Sequence, residues 1–458
     1  MPQDAQVMAQ AHRSPRIVIL GTGMGALGAA HRLEAESLRP VLYDANPYFG
    51  GHTASFEHAG GWTFDDGPHV SFTKDERIRD LFTANVDGEV LDVRAHIDNY
   101  WHGILLDHPV QIHMHGLPTD LITRVITDFV AAHEQTGVDL ADYELWLRAA
   151  YGDTFAETFP MVYGLKYHTT TPSNMTTEWL GPRMYRPSLA EVLQGALART
   201  TSDTHYVTSF RYPLDGGFTS FIRPYATRFD VRLARGARAI DPQARRVTFT
   251  DGTTESYEQL VSSVPLPALI PLIAGAPARV REAASRLAFS SAVMVNIGVP
   301  RDDLSDAHIR YIYDQDLIFV RLNYPHLLSP RTVPPGHGAI QAEIYFSDKY
   351  RPLTRTPESL VDETIADLRR SGLLREDDRI AFREARYVRY ANVIYDHDRA
   401  AALATVRAFL DETGVITCGR YGAWDHAWTD EAFISGEQAA ERAIAALERS
   451  TRPAISVR

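Results

Sequence analysis

The sequence predicts an α/β protein in which a discontinuous parallel-sheet domain is interrupted by a helical insertion and by an antiparallel or mixed sheet. Three observations predict it. An apolar run, RIVIL at 16–20, feeds directly into a glycine-rich turn and a helical pattern. Apolar residues recur at helical spacing over 119–150 and 188–199, as in Leu121, Val125, Phe129 and Ala132. Strand-like runs then crowd 288–350 (VMVNIG at 293–298, IFVRL at 318–322, IQAEIYF at 340–346), before a last strand leading to a loop at 414–422 and a helix at 437–448.

The opening segment carries the most specific chemistry. RIVIL suits a fully buried parallel strand, and GTGMGALGAA at 21–30 follows it without a gap. A pyrophosphate needs backbone that it can approach closely, with unpaired amides and the positive end of a helix dipole facing it. Gly21 supplies the tight turn, Gly23 the close approach and Ala26 the third position of the pattern, with Met24 and Gly25 completing the loop. A second strand, PVLY at 40–43, ends in Asp44, about 20 residues beyond the glycines, where a carboxylate takes ribose hydroxyls. This order is that of a Rossmann-like dinucleotide site. The next segment, YFGGHTA at 48–54, resembles the second glycine cluster of flavoproteins related to amine oxidases and protoporphyrinogen oxidases. That resemblance implies noncovalently held FAD, with Gly50, Gly51 and His52 along the pyrophosphate and flavin.

A chain of 458 residues exceeds what one hydrophobic core serves, so two or three structural units are expected. Lys and Arg total 46 against 58 Asp and Glu, and the formal net charge of -12 disfavours nucleic acid and anionic membranes as partners. An anionic ligand must therefore be gripped by locally placed arginines. Cys418 is the one cysteine, so no internal disulfide forms; a reducing, cytoplasmic setting fits. The uncharged run 260–278 has the length of a membrane span but contains Pro265, Pro267, Pro271 and Pro277, and reads as a buried strand, a turn and a helix start rather than a transmembrane segment. No zinc spacing or nucleophile elbow is present. The expected boundaries are a polar tail at 1–14, an FAD-binding domain at 15–95, 205–285 and 405–450, a helical insertion at 116–204, and a substrate-binding sheet at 96–115 and 286–404.

Several separated motifs, in order from 16 to 446, resemble UDP-galactopyranose mutases of the eukaryotic type. HPVQIH at 108–113 resembles that family's YPFQNN, with Leu117 and Pro118 following. Residues 159–166, then Asn174, Met175 and WLGPR at 179–183, resemble its run from YNFK to WxxxR. FRYPLDGG at 210–217 resembles FxYPxxGG, FVR at 319–321 looks like FYR with Glu343 after it, and GRYGAW at 419–424 resembles GRFGSW. The resemblance implies FAD, a helical insertion and a cavity against the flavin. It makes Arg183 and Arg321 a diphosphate clamp, a role that suits guanidinium forks. It sets His69, in DGPHV at 66–70, beside the flavin ring and Arg420 near the cofactor, and Trp179 and Tyr313 are taken as aromatic contacts to substrate. The chain also departs from the family. With Tyr395, Asp396 and Arg420 as anchors, Asn392 and His426 stand where two tyrosines belong and Asp430 where an asparagine belongs. A carboxylate there repels a diphosphate unless it is protonated or paired. The run YHTTTP at 167–172 is also unlike the family's aromatic uridine pocket.

Two readings stay open. In the first the chain is a nucleotide-sugar mutase: reduced flavin N5 attacks the anomeric carbon, the two arginines stabilise the leaving diphosphate, and the sugar recloses with the other ring size, on a sugar other than the usual UDP-galactose, with a reductant such as NADPH priming the flavin. In the second, oxidised flavin abstracts a hydride from an amine, porphyrinogen or polyene.

Overall fold

The computed structural model describes residues 15–135, 137–199 and 207–451, so the expected tail at 1–14 lies outside the described residues. The chain divides into two compact units. The first comprises the described parts of Met1–His52, Ile222–Arg286 and Ala401–Arg458; the second comprises those of Thr53–Phe221 and Leu287–Ala400.

Within the first unit a five-stranded parallel sheet runs in the order Ile416–Thr417, Gln259–Ser262, Ile17–Leu20, Val41–Tyr43, Asp230–Arg232. Ile17–Leu20 is central and buried along its whole length, as its unbroken apolar run requires. Chain order reverses on either side of this strand, which opens a crevice at the carboxyl ends of an α/β sheet. A three-stranded antiparallel sheet, Ala237–Asp241, Arg246–Phe249 and Thr254–Ser256, turns at Gly252 (φ +82°). The helix Met24–Ala35 packs so closely on Thr429–Thr451 that a Cβ at Gly436 would overlap the carbonyl of Gly25, and one at Gly28 the carbonyl of Phe433.

The second unit is built on a seven-stranded sheet in the order Phe382–Val393, Phe289–Val299, Gly338–Phe346, Arg321–Asn323, Ile309–Ile312, Ile97–Trp101, Ile104–Asp107. Its pairs are antiparallel except Ile97–Trp101 with Ile309–Ile312, so the sheet is mixed. One core joins Val293, Val295, Ile297, Ile340, Ala342 and Leu368. A second core gathers the helices Thr119–His133, Tyr143–Tyr151 and Asp153–Thr158 through Leu121, Val125, Phe129, Leu147 and Phe155. The helical pattern at 188–199 forms Leu189–Leu197, closed at its start by a capping box in which Ser188 and Glu191 exchange hydrogen bonds. Residues 53–95 and 207–221, expected with the FAD-binding segments, fall in this unit, where Val90–Arg94 pairs with Ser209–Pro213.

Two expected elements differ. The strand foreseen at 318–322 begins only at Arg321, because the carbonyls of Asp314, Leu317 and Phe319 turn towards one buried ammonium, Lys166 Nζ, at 2.8, 2.9 and 2.6 Å. The strand and loop foreseen at 414–422 are a two-residue strand, Ile416–Thr417, followed by a short helix, Gly419–Gly422.

A buried acid braces the second unit. Asp65 accepts hydrogen bonds from Ser55 Oγ (2.6 Å), the Phe218 amide (3.1 Å) and Tyr212 Oη (2.8 Å). Burial, opposed by these bonds, pushes its carboxyl up from 3.8 to about 6. The folded chain therefore binds this proton more tightly than the unfolded chain, and the stability it adds is full below about pH 4 and lost as the pH rises through about 6. Asp65→Asn is expected to flatten that part of the profile, a change of about 3 kcal/mol between its two ends, read as the difference in urea midpoint from wild type at about pH 4 and about pH 7.

Candidate functional site

The sequence-predicted residues fall into two sets, one in each unit. In the first unit the helix Met24–Ala35 begins at Gly23 (φ -75°) with no side-chain cap, leaving its first amides for a ligand. Gly21 (φ +112°) makes the turn and lies so close to Ser263 Oγ that no side chain fits. Gly25 is closed in by Gly419, whose Cα would lie 2.7 Å from an added Cβ. Gly23 differs: a Cβ there would meet nothing nearer than the Gly50 carbonyl at 3.9 Å. Asp44 accepts from the Thr22 amide (2.9 Å), Thr22 Oγ1 (2.6 Å) and the Asn46 amide (2.8 Å). Thr22 Oγ1 in turn takes the Gly50 amide at 3.2 Å, so one carboxylate organises both glycine loops. The His52 ring packs on Tyr421 at 5.2 Å, and Arg420 reaches His426 at 3.3 Å from Nη2. Met24 and Ala26 are buried in the first helical turn.

These residues fit FAD. Gly23 presents bare backbone where a pyrophosphate needs it, the helix start offers free amides, and a carboxylate with about four acceptor positions spends three within the protein, leaving one for a ribose hydroxyl.

In the second unit a row of directly opposed residues crosses one face of the large sheet: Asn99, Tyr311, Arg321, Glu343, Met294 and Arg386. Arg321 and Glu343 form a two-pronged ion pair, Nε to Oε1 at 2.6 Å and Nη2 to Oε2 at 2.8 Å. Glu343 is fully buried and also accepts from Asn323 Nδ2 (2.6 Å) and Tyr345 Oη (2.5 Å). Burial is the largest single influence on the Arg321 guanidinium and lowers it, but Glu343 together with Tyr345, Tyr163 and Tyr167 holds the group well above its ordinary range. The helix Pro160–Tyr167 lays Tyr163 and Tyr167, four residues apart and so on one face, against this row. Tyr167 lies 4.8 Å from Tyr345 and 5.9 Å from the Arg321 guanidinium; Tyr163 lies 5.3 Å from Tyr311. Burial raises the phenols of Tyr163, Tyr311 and Tyr345, which stay protonated as hydrogen-bond donors. Lys166, on the same helix, fixes the bend at 314–319 that precedes Arg321; burial pulls its ammonium down to about 7.

Arg183 ends a 3-10 turn and donates to the Trp179 carbonyl at 3.2 Å. Trp179 stands between Tyr143 and His168, at 5.2 and 4.9 Å, and Tyr313 between Phe159 and Tyr163, at 5.1 and 6.0 Å. His69 contacts the Gly67 carbonyl through Nδ1 at 2.9 Å, and neighbouring Asp66 pairs with Arg386. Asn392 is buried on Phe382–Val393, opposite Ser290. Asp430 occupies the first turn of Thr429–Thr451, where an acid complements the helix dipole; that gives the residue a reason of its own.

Sequence reasoning missed the phenol cluster. Its signals were Tyr163 with Tyr167 at helical spacing, and Tyr311 with Tyr313, Arg321 with Asn323 and Glu343 with Tyr345 at strand spacing.

A family model described as flavin containing amine oxidoreductase matches residues 196–444, more than half of the chain. The chain belongs to the flavin containing amine oxidoreductase family. An NAD(P)-binding Rossmann-like domain model matches residues 19–85. Together these matches make the chain an FAD-dependent enzyme of the amine oxidase superfamily. No curated protein matches the sequence. Among solved structures, reduced UDP-galactopyranose mutase is 25% identical with a TM-score of 0.88, over 94% of this chain and 96% of that one. A structure described as a protoporphyrinogen oxidase from Exiguobacterium sp. 255-15 is 18% identical with a TM-score of 0.73, over 95% and 99%. An oxidoreductase from Methanosarcina mazei is 13% identical with a TM-score of 0.63, over 93% and 99%. The last two likenesses show the fold alone. Among the described residues no helix is long and apolar enough to cross a membrane.

Proposed function

We propose that this flavoenzyme is a nucleotide-sugar mutase that interconverts pyranose and furanose rings, acting on a sugar other than galactose. The observation that carries the reading is the half-buried Arg321, set among protonated phenols and locked by Glu343. Such a site suits a diphosphate leaving group, and the likeness over nearly the full length to reduced UDP-galactopyranose mutase supports it. When bound and reduced, FAD supplies an electron-rich centre for the anomeric carbon. Arg321 orients the diphosphate: of its five N–H groups, Glu343 takes two, leaving three for other acceptors. Because Glu343 neutralises Arg321, the pair alone gives little net attraction for a dianion, and Arg183 supplies the further positive charge. Neutral phenols at Tyr163 and Tyr311 supply hydrogen bonds without adding negative charge, while Tyr345 spends its hydroxyl on Glu343. Asn392, His426, Asp430, Trp179 and Tyr313 remain the proposed sugar and nucleotide contacts, and His69 and Arg420 the proposed flavin contacts.

A second reading, hydride abstraction by oxidised flavin, is favoured by the family match itself. Titrating the oxidised and the dithionite-reduced holoprotein with UDP-sugars under nitrogen separates the two. The mutase reading expects a saturable change in the flavin spectrum of the reduced form. No response to any UDP-sugar, together with turnover of amines or porphyrinogens under oxygen, would overturn it.

A further inference from the structure

One residue ties together the elements that carry the phenols, Arg321 and Glu343. Lys166 follows Tyr163 by three residues and precedes Tyr167 on Pro160–Tyr167. It is 6% exposed, and among the described residues its ammonium meets no carboxylate: it donates only to the carbonyls of Asp314, Leu317 and Phe319. An ammonium has three donors and no acceptor, so all of its N–H groups are spent. Lysine is almost never this buried unless paired, and an apolar side chain of similar length would pack the helix at lower cost. What the ammonium alone can do is gather three carbonyls at one point.

Two of these carbonyls belong to peptide groups that are held at the other end as well. The Leu317–Ile318 peptide accepts from Lys166 at 2.9 Å and donates its amide to Asp367 Oδ2 at 2.7 Å. The Phe319–Val320 peptide accepts from Lys166 at 2.6 Å and donates its amide to the Glu343 carbonyl at 2.9 Å. A peptide group is planar, so holding both ends fixes its orientation. The residue after this second peptide is Arg321, whose guanidinium meets the Glu343 carboxylate. The backbone of Lys166 is used too. Arg351 Nη2 donates to the Lys166 carbonyl at 2.6 Å and to the Tyr345 carbonyl at 2.9 Å, tying the end of the phenol-bearing helix to the strand Gly338–Phe346 that carries Glu343. A cation complementing the helix dipole accounts for the first of these bonds and not for the second.

We propose that Lys166 and Arg351 are positioning residues that hold the face of Tyr163 and Tyr167 in register with Arg321 and Glu343, so that a diphosphate meets phenols and guanidinium as one rigid surface. This deepens the mutase reading and rests on it for the ligand. Lys166 has no N–H left for a ligand, so its effect on binding passes through the groups it holds.

Calorimetry of the holoprotein with UDP, ADP, GDP and inorganic pyrophosphate tests this through a double-mutant cycle. Lys166→Met and Arg351→Met are each made in wild type and in Arg321→Met with Glu343→Gln. The expected result is an affinity loss of about tenfold for each in wild type, and of less than about twofold in the second background, where the group being positioned is gone. Retained FAD and thermal midpoint are recorded for every variant. Lys166→Met strands three carbonyls; if it does not fold, Arg351→Met decides. No loss in wild type, or an equal loss in both backgrounds that follows the thermal midpoint, shows a brace for stability alone; either result overturns the proposal and leaves the mutase reading standing. Failure of all four ligands to bind wild type overturns the diphosphate site and the positioning role with it.

Discussion

Arg321→Ala is expected to cost stability as well as ligand affinity. Glu343 is fully buried and bonded through both oxygens, so removing its cation leaves an uncompensated carboxylate, a penalty of about 3–5 kcal/mol. Asn323 and Tyr345 still donate to it, which holds the loss within that range rather than above it. Affinity for a nucleoside diphosphate should fall roughly 30-fold or more if Arg321 is the charge partner of the phosphates that the mutase reading proposes. The double variant Arg321→Met with Glu343→Gln separates the two effects. It restores most of the urea midpoint, since neither half is left charged and alone, while nucleotide affinity stays low. A double variant that binds as tightly as wild type would show that Arg321 serves only as the partner of Glu343.

Gly23→Ala and Gly436→Ala are expected to fail in opposite ways. At Gly23 the backbone (φ -75°) suits alanine and the nearest protein atom to the new methyl is 3.9 Å away, so the apoprotein keeps its thermal midpoint. The methyl occupies space that a pyrophosphate needs, and FAD content should fall by at least about tenfold, a loss of about 1.4 kcal/mol. At Gly436 the methyl meets the Gly25 carbonyl and the Ala29 amide, backbone of a packed helix that has nowhere to yield. That overpacking costs about 1–3 kcal/mol in the apoprotein itself. Midpoints of the two apoproteins and their visible flavin absorbance after reconstitution decide the matter; equal FAD occupancy in Gly23→Ala and wild type would remove the cofactor assignment of the loop.

The Rossmann-like part of the fold was legible because its demands are local. A strand, a bare turn, a helix start and an acid about 20 residues on all fall within 30 residues, and glycine leaves a visible mark wherever backbone must come close. The closing segment was legible only in part: its strand is two residues long, and the expected loop is a short helix whose Gly419 packs against Gly25. The phenol cluster was hidden because its members come from one helix and two strands, and each taken singly looks like an ordinary core tyrosine. The paired role of Arg321 was hidden too, since Glu343 becomes its direct neighbour only once Arg321–Asn323 pairs with Gly338–Phe346. The misplaced strand at 318–322 has a tertiary cause: an apolar run gives no sign that a lysine about 150 residues earlier will take the Phe319 carbonyl together with those of Asp314 and Leu317 just before it. Asp430, troublesome beside a diphosphate, is natural at a helix start.

The most direct test of the central claim is turnover. The purified holoprotein, reduced with dithionite under nitrogen, is incubated with a panel of nucleotide sugars, and the pyranose and furanose forms are separated by chromatography. The mutase account predicts interconversion by the reduced protein, none by the oxidised protein, and near-complete loss in Arg321→Met with Glu343→Gln. Failure of the reduced protein to convert any sugar, with the oxidised protein consuming oxygen on an amine or porphyrinogen, would contradict it.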